Sequence, residues 1–186
     1  MNIKYSRTLI IFITAFLYSV IRYNIVGPVP IAEIPLFIMN KAISFSMVII
    51  FAFSARSYFK SAIQEFINSM SILKGFALIH ILISISLLSQ QYYPKFFTND
   101  KLSLFGNLTI FFGIISVVYI LNKSIKIKNW LFFLMITFHL FFMGIKGWLS
   151  VDKWHGMMPP ISLISFIIST SLIFIYLFKK ELDEKH

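Results

Sequence analysis

The run PISLISFIISTSLIFIYLF, residues 160–178, decides how this chain must fold. It holds no charged side chain, and its length is that of a helix crossing a hydrocarbon core of roughly 30 Å. Five further stretches of the same kind precede it: 8–26, 35–55, 67–89, 103–122 and 129–148. Barrel strands would show shorter segments of strict alternation, which these are not, so the spacing predicts helices. Breakers fall between them. Gly27, Pro28 and Pro30 separate the first two, Pro94 with Asn99 and Asp100 the third and fourth, and Pro159 with Pro160 the last two.

The composition of the whole agrees. Of 186 residues, 58% are hydrophobic, 18% aromatic and 13% charged, with 22 Phe. A mean hydropathy of +0.83 lies far from that of soluble domains, which carry about 25% charged residues. A water-facing surface could not be covered by so few charges. The expectation is an all-α, polytopic membrane protein, one transmembrane domain over residues 1–186 built as a six-helix bundle. A soluble enzyme, a disordered chain and a nucleic-acid-binding domain are excluded despite the +10 charge. With no cysteine, disulfides, thiol catalysis and thiolate-bound metals are excluded as well.

The charge is read first as topology. With the N-terminus inside, the inner segments hold ten cations: Lys4, Arg7, Arg56, Lys60, Lys123, Lys126, Lys128, Lys179, Lys180 and Lys185. The outer segments hold four: Lys95, Lys101, Lys146 and Lys153. The positive-inside rule therefore predicts both termini in the cytoplasm, in a bacterial inner membrane. The first span follows the basic Lys4 and Arg7 like a signal peptide. Arg22-Tyr23-Asn24 stands where a small-residue cleavage site would be, so it reads as a retained signal anchor.

Chemistry must come from few residues. No span carries Asp or Glu, and no phosphate loop, His-Glu-x-x-His helix or nucleotide fingerprint is present. Two histidines lie inside spans, His80 in the third and His139 in the fifth. Ionisable residues in a membrane are rare and usually functional. In the predicted topology both helices run outward. His80 stands ten residues before Gln90 and His139 nine before Trp148, so at ~1.5 Å per residue each lies roughly 14–15 Å below the outer boundary. Two imidazoles at matched depth suit the two axial positions of a haem. Phe76, Phe132, Phe133, Phe138, Phe141 and Phe142 offer an apolar slot. The competing reading is a pair of histidines that only hydrogen-bond neighbouring helices.

Three other residue sets stay open between two readings. Arg22 and Lys41 either snorkel to the outer headgroups and Glu33, or receive the propionates of a haem in the outer half, with Asn24, Asn40 and Trp148 assisting. His155, in Asp152-Lys153-Trp154-His155-Gly156, is a surface residue, a further ligand or part of an acceptor-docking site. Lys74 is read as snorkelling inward.

The chain resembles the ferric reductase-like transmembrane domain. The resemblance rests on six helices of similar order and on Gly75-Phe76-Ala77-Leu78-Ile79-His80, Tyr92-Tyr93-Pro94-Lys95 and Leu104-Phe105-Gly106. Phe138-His139-Leu140, Gly147-Trp148 and Met158-Pro159-Pro160-Ile161-Ser162-Leu163 complete it. It implies a b-type haem between the third and fifth helices, with His80 and His139 as outer-half axial ligands of the iron. Larger members stack two haems on two histidines per helix. Here each helix has one histidine, and the inner positions hold Ile, Asn, Ser or Lys, which implies one haem. A single outer haem implies a quinone or a bound flavin to reach a cytosolic donor. Any flavoprotein reductase is expected as a separate polypeptide.

The function expected on this basis is transmembrane electron relay from a quinol or flavoprotein to an outer-side acceptor. Two alternatives from other classes fit the same composition: the substrate-binding subunit of a vitamin transporter, and a membrane assembly subunit with no ligand.

Overall fold

The apolar runs that define the sequence become six α-helices joined by short connections. The structure is a computed structural model, and it describes residues 3–59, 63–122 and 129–183. The helices are α1 (Ile3–Val20), α2 (Met39–Phe59), α3 (Ile63–Ser86), α4 (Leu104–Leu121), α5 (Asn129–Trp148) and α6 (Ile161–Asp183). A π-helical turn, Ile21–Ile25, extends α1, and a second, Ile34–Ile38, leads into α2. Among the described residues, five runs are long and apolar enough to cross a membrane: Tyr5–Ile25, Ile31–Ala55, Leu104–Leu121, Leu131–Trp148 and His155–Phe178. The expected span at 67–89 corresponds to α3. Within it the run Met70–Ser86 is apolar.

The surface is that of a protein solvated by lipid. Leu82, Phe174 and Phe178 are more than half exposed, whereas the buried helix contacts are rich in small residues. Ala15, Ser19, Ala42, Ser46 and Ala77 are essentially inaccessible, which lets helix backbones approach closely where lipid supplies no hydrophobic drive. Hydroxyls buried this way satisfy themselves within their own helix. Ser19 donates to Ala15 O at 2.7 Å, Ser46 to Ala42 O at 2.7 Å and Ser54 to Ile50 O at 2.8 Å, so none of these three donors is left free in an apolar medium.

Helices α2 and α3, α4 and α5, and α5 and α6 pack extensively, and α1 lies against α2. Contacts of α2 with α6, and a lighter contact of α3 with α4, close α2 through α6 into a ring. Helices α3 and α5 are not among the closely packed pairs. Their side chains meet at one end of the ring, where Leu73 and Ala77 of α3 share a buried cluster with Phe132 and Phe133 of α5.

The two halves of the bundle differ. In the half nearest the chain termini, Phe51, Phe132, Phe133, Leu73, Ala77 and Leu172 form a buried cluster. The Phe51 ring lies 4.8 Å from Phe132 and 5.0 Å from Phe133, and Tyr119 stacks on Phe132 at 4.6 Å. Lys74 reaches towards this end, donating to Leu121 O at 3.4 Å, as its snorkelling reading expects. The opposite half carries the connecting loops. There a tight hairpin pairs Phe97 with Leu102 and Thr98 with Lys101. Asn99 and Asp100 turn it with φ of 49° and 60°, the left-handed pair that a two-residue hairpin requires. Ser103 then caps α4, its Oγ accepting from Gly106 N at 3.2 Å. Of the cations on which the predicted topology rests, Lys60, Lys123, Lys126, Lys128 and Lys185 lie outside the described residues, as does His186.

Candidate functional site: two oriented imidazoles

His80 sits near the loop end of α3 and faces Asn40 at the start of α2. Its Nδ1 lies 2.6 Å from Asn40 Oδ1. The Asn40 side chain is 2% exposed, and its Nδ2 donates to Ser84 Oγ at 3.1 Å and to Tyr93 Oη at 3.4 Å. With the amide nitrogen donating twice, the amide oxygen is left to accept. His80 therefore carries its hydrogen on Nδ1.

His139, in the middle of α5, reaches the same state by another route. Its Nδ1 lies 2.8 Å from the backbone oxygen of Thr109 in α4. A carbonyl only accepts, so Nδ1 is again the protonated nitrogen. Gly113, one turn beyond Thr109, makes the approach possible. A Cβ placed there would stand 2.9 Å from His139 Nδ1 and 3.1 Å from Cε1, inside van der Waals contact. The absence of a side chain at residue 113 thus exposes the Thr109 carbonyl to the ring.

Both histidines consequently present Nε2 as the unprotonated nitrogen. Neither Nε2 makes a hydrogen bond among the described residues. The sealed, unpartnered side-chain atoms among them are Arg22 Nε, Asn24 Oδ1 and Thr170 Oγ1, and neither Nε2 is one of these. Fixing the imidazole tautomer through Nδ1 is the usual way a protein prepares a histidine ligand.

Lys41, next to Asn40, is held by aromatic faces. Its Nζ lies 5.0 Å from the Phe37 ring centroid and 5.2 Å from that of Tyr93, a favourable setting for a cation short of water. It forms no ion pair among the described residues, and Glu33 instead accepts from Tyr92 Oη at 3.3 Å. The Lys41 charge acts on both His80 and His139, and His139 acts on His80. Helices α2, α3, α4 and α5 thus bring Asn40, Lys41, His80, Thr109, Gly113 and His139 to one region of the ring.

Comparison with protein families, with curated proteins and with solved structures finds no match for this chain.

The remaining expected site residues gather elsewhere. Arg22 is 4% exposed, and its Nη1 donates to Met158 O at 2.6 Å. Tyr18, one turn earlier, donates to Pro159 O at 2.7 Å. Together they fasten the loop before α6 to the end of α1. His155, in that loop, feels the Arg22 charge and lies against Gly27. Trp148 is buried, folds back over Gly144 and donates to Ser162 Oγ at 3.0 Å, which makes it part of the α5–α6 contact. Lys41 thus lies beside the span histidines and Arg22 beside His155, and the two cations are linked through the rings of Tyr23 and Phe37, 5.9 Å apart.

Sequence reasoning did not find Thr109, Gly113, Ser84 or Tyr93. The one available signal was Gly113 itself, a lone glycine amid the bulky residues Phe111, Phe112, Ile114 and Ile115. Backbone acceptors such as Thr109 O leave no trace in a sequence. No group of three or more His, Asp or Glu able to hold a bare metal ion occurs among the described residues. A two-imidazole donor set fits a metal whose other positions are filled by a macrocycle.

Proposed function

We propose that this chain is a membrane b-type haem protein that relays electrons from a quinol or a separate flavoprotein to an acceptor beyond the loop end of the bundle. The proposal includes six membrane helices with both termini in the cytoplasm of a bacterial cell, as the distribution of Lys and Arg favours. His80 and His139 would hold the haem iron, and Lys41 would offer its ammonium to a propionate. The observation that carries the reading is the shared orientation of the two imidazoles. Each gives Nδ1–H to an oxygen of a neighbouring helix, and each keeps Nε2 without a hydrogen bond among the described residues.

The residues have separate tasks. Asn40 and the Thr109 carbonyl hold the rings in orientation and strengthen their basicity as ligands. Gly113 gives the His139 ring its seat. Lys41 places a positive charge beside the two imidazoles. A haem bound there supplies one-electron redox chemistry in a medium that excludes water. The packed ring cluster of Phe51, Phe132, Phe133 and Tyr119 fills the half nearest the termini, which supports one haem rather than two.

The test is haem stoichiometry in the purified full-length protein, measured as the pyridine haemochrome. One b-type haem per chain is expected, with most of it lost in His80→Ala and in His139→Ala. Colourless protein carrying a tightly bound small organic molecule would replace this reading with the transporter-subunit alternative.

A further inference from the structure

Arg22 presents a problem that the imidazole pair does not solve. A guanidinium stays charged in any protein environment, and burying a charge is costly unless an opposite charge or a full set of acceptors meets it. Arg22 is 4% exposed. Among the described residues it has one hydrogen bond, from Nη1 to Met158 O at 2.6 Å, and a face-on contact with the Tyr23 ring at 5.1 Å. No carboxylate pairs with it there. Its Nε is sealed with no partner. Its Nη2 has no hydrogen bond either, yet is not among the sealed atoms, so that one donor remains open.

The surroundings of that donor are built. Arg22 lies in the π-helical turn Ile21–Ile25, and such turns recur at functional sites because they redirect side chains. His155 is half-buried and within reach of the Arg22 charge. Its ring makes no hydrogen bond among the described residues. Gly27 makes room for it: a Cβ there would meet His155 Cδ2 at 3.0 Å and the backbone oxygens of Tyr23 and Arg22 at 2.7 and 2.8 Å. Gly156 follows with φ of 55°, and a Cβ on it would strike Val26 Cγ1 at 2.6 Å. Two glycines therefore bring the His155 loop down onto the end of α1, beside a cation that lacks an anion.

We infer that Arg22 and His155 form a binding site for a small oxyanion, a phosphate or carboxylate group, at the loop end of the bundle. Arg22 Nη2 supplies a charged donor of the kind such groups favour, and His155 adds a ring N–H. The same chemistry is offered by an anionic lipid headgroup at the membrane surface and by a free anion in the aqueous phase. The site is separate from the haem reading and stands whether or not haem is bound.

The experiment uses the full chain purified in a non-ionic detergent. It is titrated with inorganic phosphate and, separately, with a short-chain phosphatidylglycerol, by calorimetry and by tryptophan fluorescence. Trp154 adjoins His155 and reports on that loop. Saturable binding of at least one probe is expected. Binding of both identifies a free-oxyanion site, and binding of the lipid alone a headgroup site. Arg22→Gln should weaken binding about tenfold or more, as loss of a charged hydrogen-bond donor implies, and Arg22→Lys should recover only part, because a compact ammonium does not reproduce the planar guanidinium. His155→Ala keeps the Met158 contact and should weaken binding several-fold, so it decides the matter if Arg22→Gln does not fold. The inference is overturned if neither probe saturates at millimolar concentration, or if both variants bind like the parent. It is also overturned if folded Arg22→Gln loses haem, which would return Arg22 to the cofactor.

Discussion

Gly113 lies directly against the imidazole of His139, and it is the missing Cβ of Gly113 that lets the ring reach the Thr109 carbonyl at 2.8 Å. Glycine within a helix costs about 1 kcal/mol relative to alanine, so this position gives up helix stability for access. Gly113→Ala should therefore favour helix α4 while displacing the His139 ring. We expect a protein at least as resistant to thermal unfolding in detergent, yet with haem content reduced roughly tenfold or more, within the 10–100-fold typical when an outer-shell partner is lost. Parent-like haem content in Gly113→Ala would show that the seat is unimportant.

Asn40 can be tested by removing or keeping its acceptor. Asn40→Leu strands His80 Nδ1–H and removes the donors to Ser84 and Tyr93, at a cost of about 1–3 kcal/mol for each buried group left unpaired. Haem retention should fall in that variant. Asn40→Asp keeps an oxygen facing His80 and should retain haem better than the leucine variant. Comparison of the two by haemochrome assay, against thermal stability of the apoprotein, separates orientation of His80 from general destabilisation.

Lys41 carries a charge that acts on both histidines from within an aromatic cage. A nearby cation favours the reduced, less positive form of a bound haem. Lys41→Met should keep the volume and lower the midpoint potential, by an amount on the order of 60 mV if the charge is worth tenfold in the one-electron equilibrium. Potentiometric titration reads this directly. An unchanged potential would remove Lys41 from the site.

The half nearest the termini makes the opposite demand. Phe132 is 2% exposed and meets Phe51, Phe133 and Tyr119. Phe132→Ala should destabilise the bundle by about 3–5 kcal/mol through the cavity it opens, while haem per folded chain stays at the parent value. Loss of haem in proportion to the loss of stability would indicate that the two halves are not independent.

Much of the architecture was legible in the sequence, because a bilayer imposes a simple length rule on apolar runs. The helix expected at 129–148 coincides with α5, and that at 103–122 differs from α4 by one residue at each end. The first helix was less legible. Its α-helical part ends at Val20, and a π-helical turn carries the chain to Ile25, a distinction that hydropathy does not encode. The histidines were legible because an ionisable group in a span is conspicuous. Their orientation was not. It depends on Thr109 O, a backbone atom, and on Gly113, whose contribution is an absence. Arg22 and Lys41 were expected to serve one site because both stand near the loop end. Their immediate partners, Met158 O for one and the Phe37 and Tyr93 rings for the other, lie far apart in sequence and could not be read from it.

The central claim is that His80 and His139 are axial ligands of one haem. It is tested most directly by the reduced-minus-oxidised absorption spectrum of the purified protein, alongside the double variant His80→Ala/His139→Ala. The account expects the spectrum of a six-coordinate b-type haem in the parent and none in the double variant. Stoichiometric haem with an unchanged spectrum in the double variant, or a folded parent that takes up no haem when supplied with it, would contradict the account.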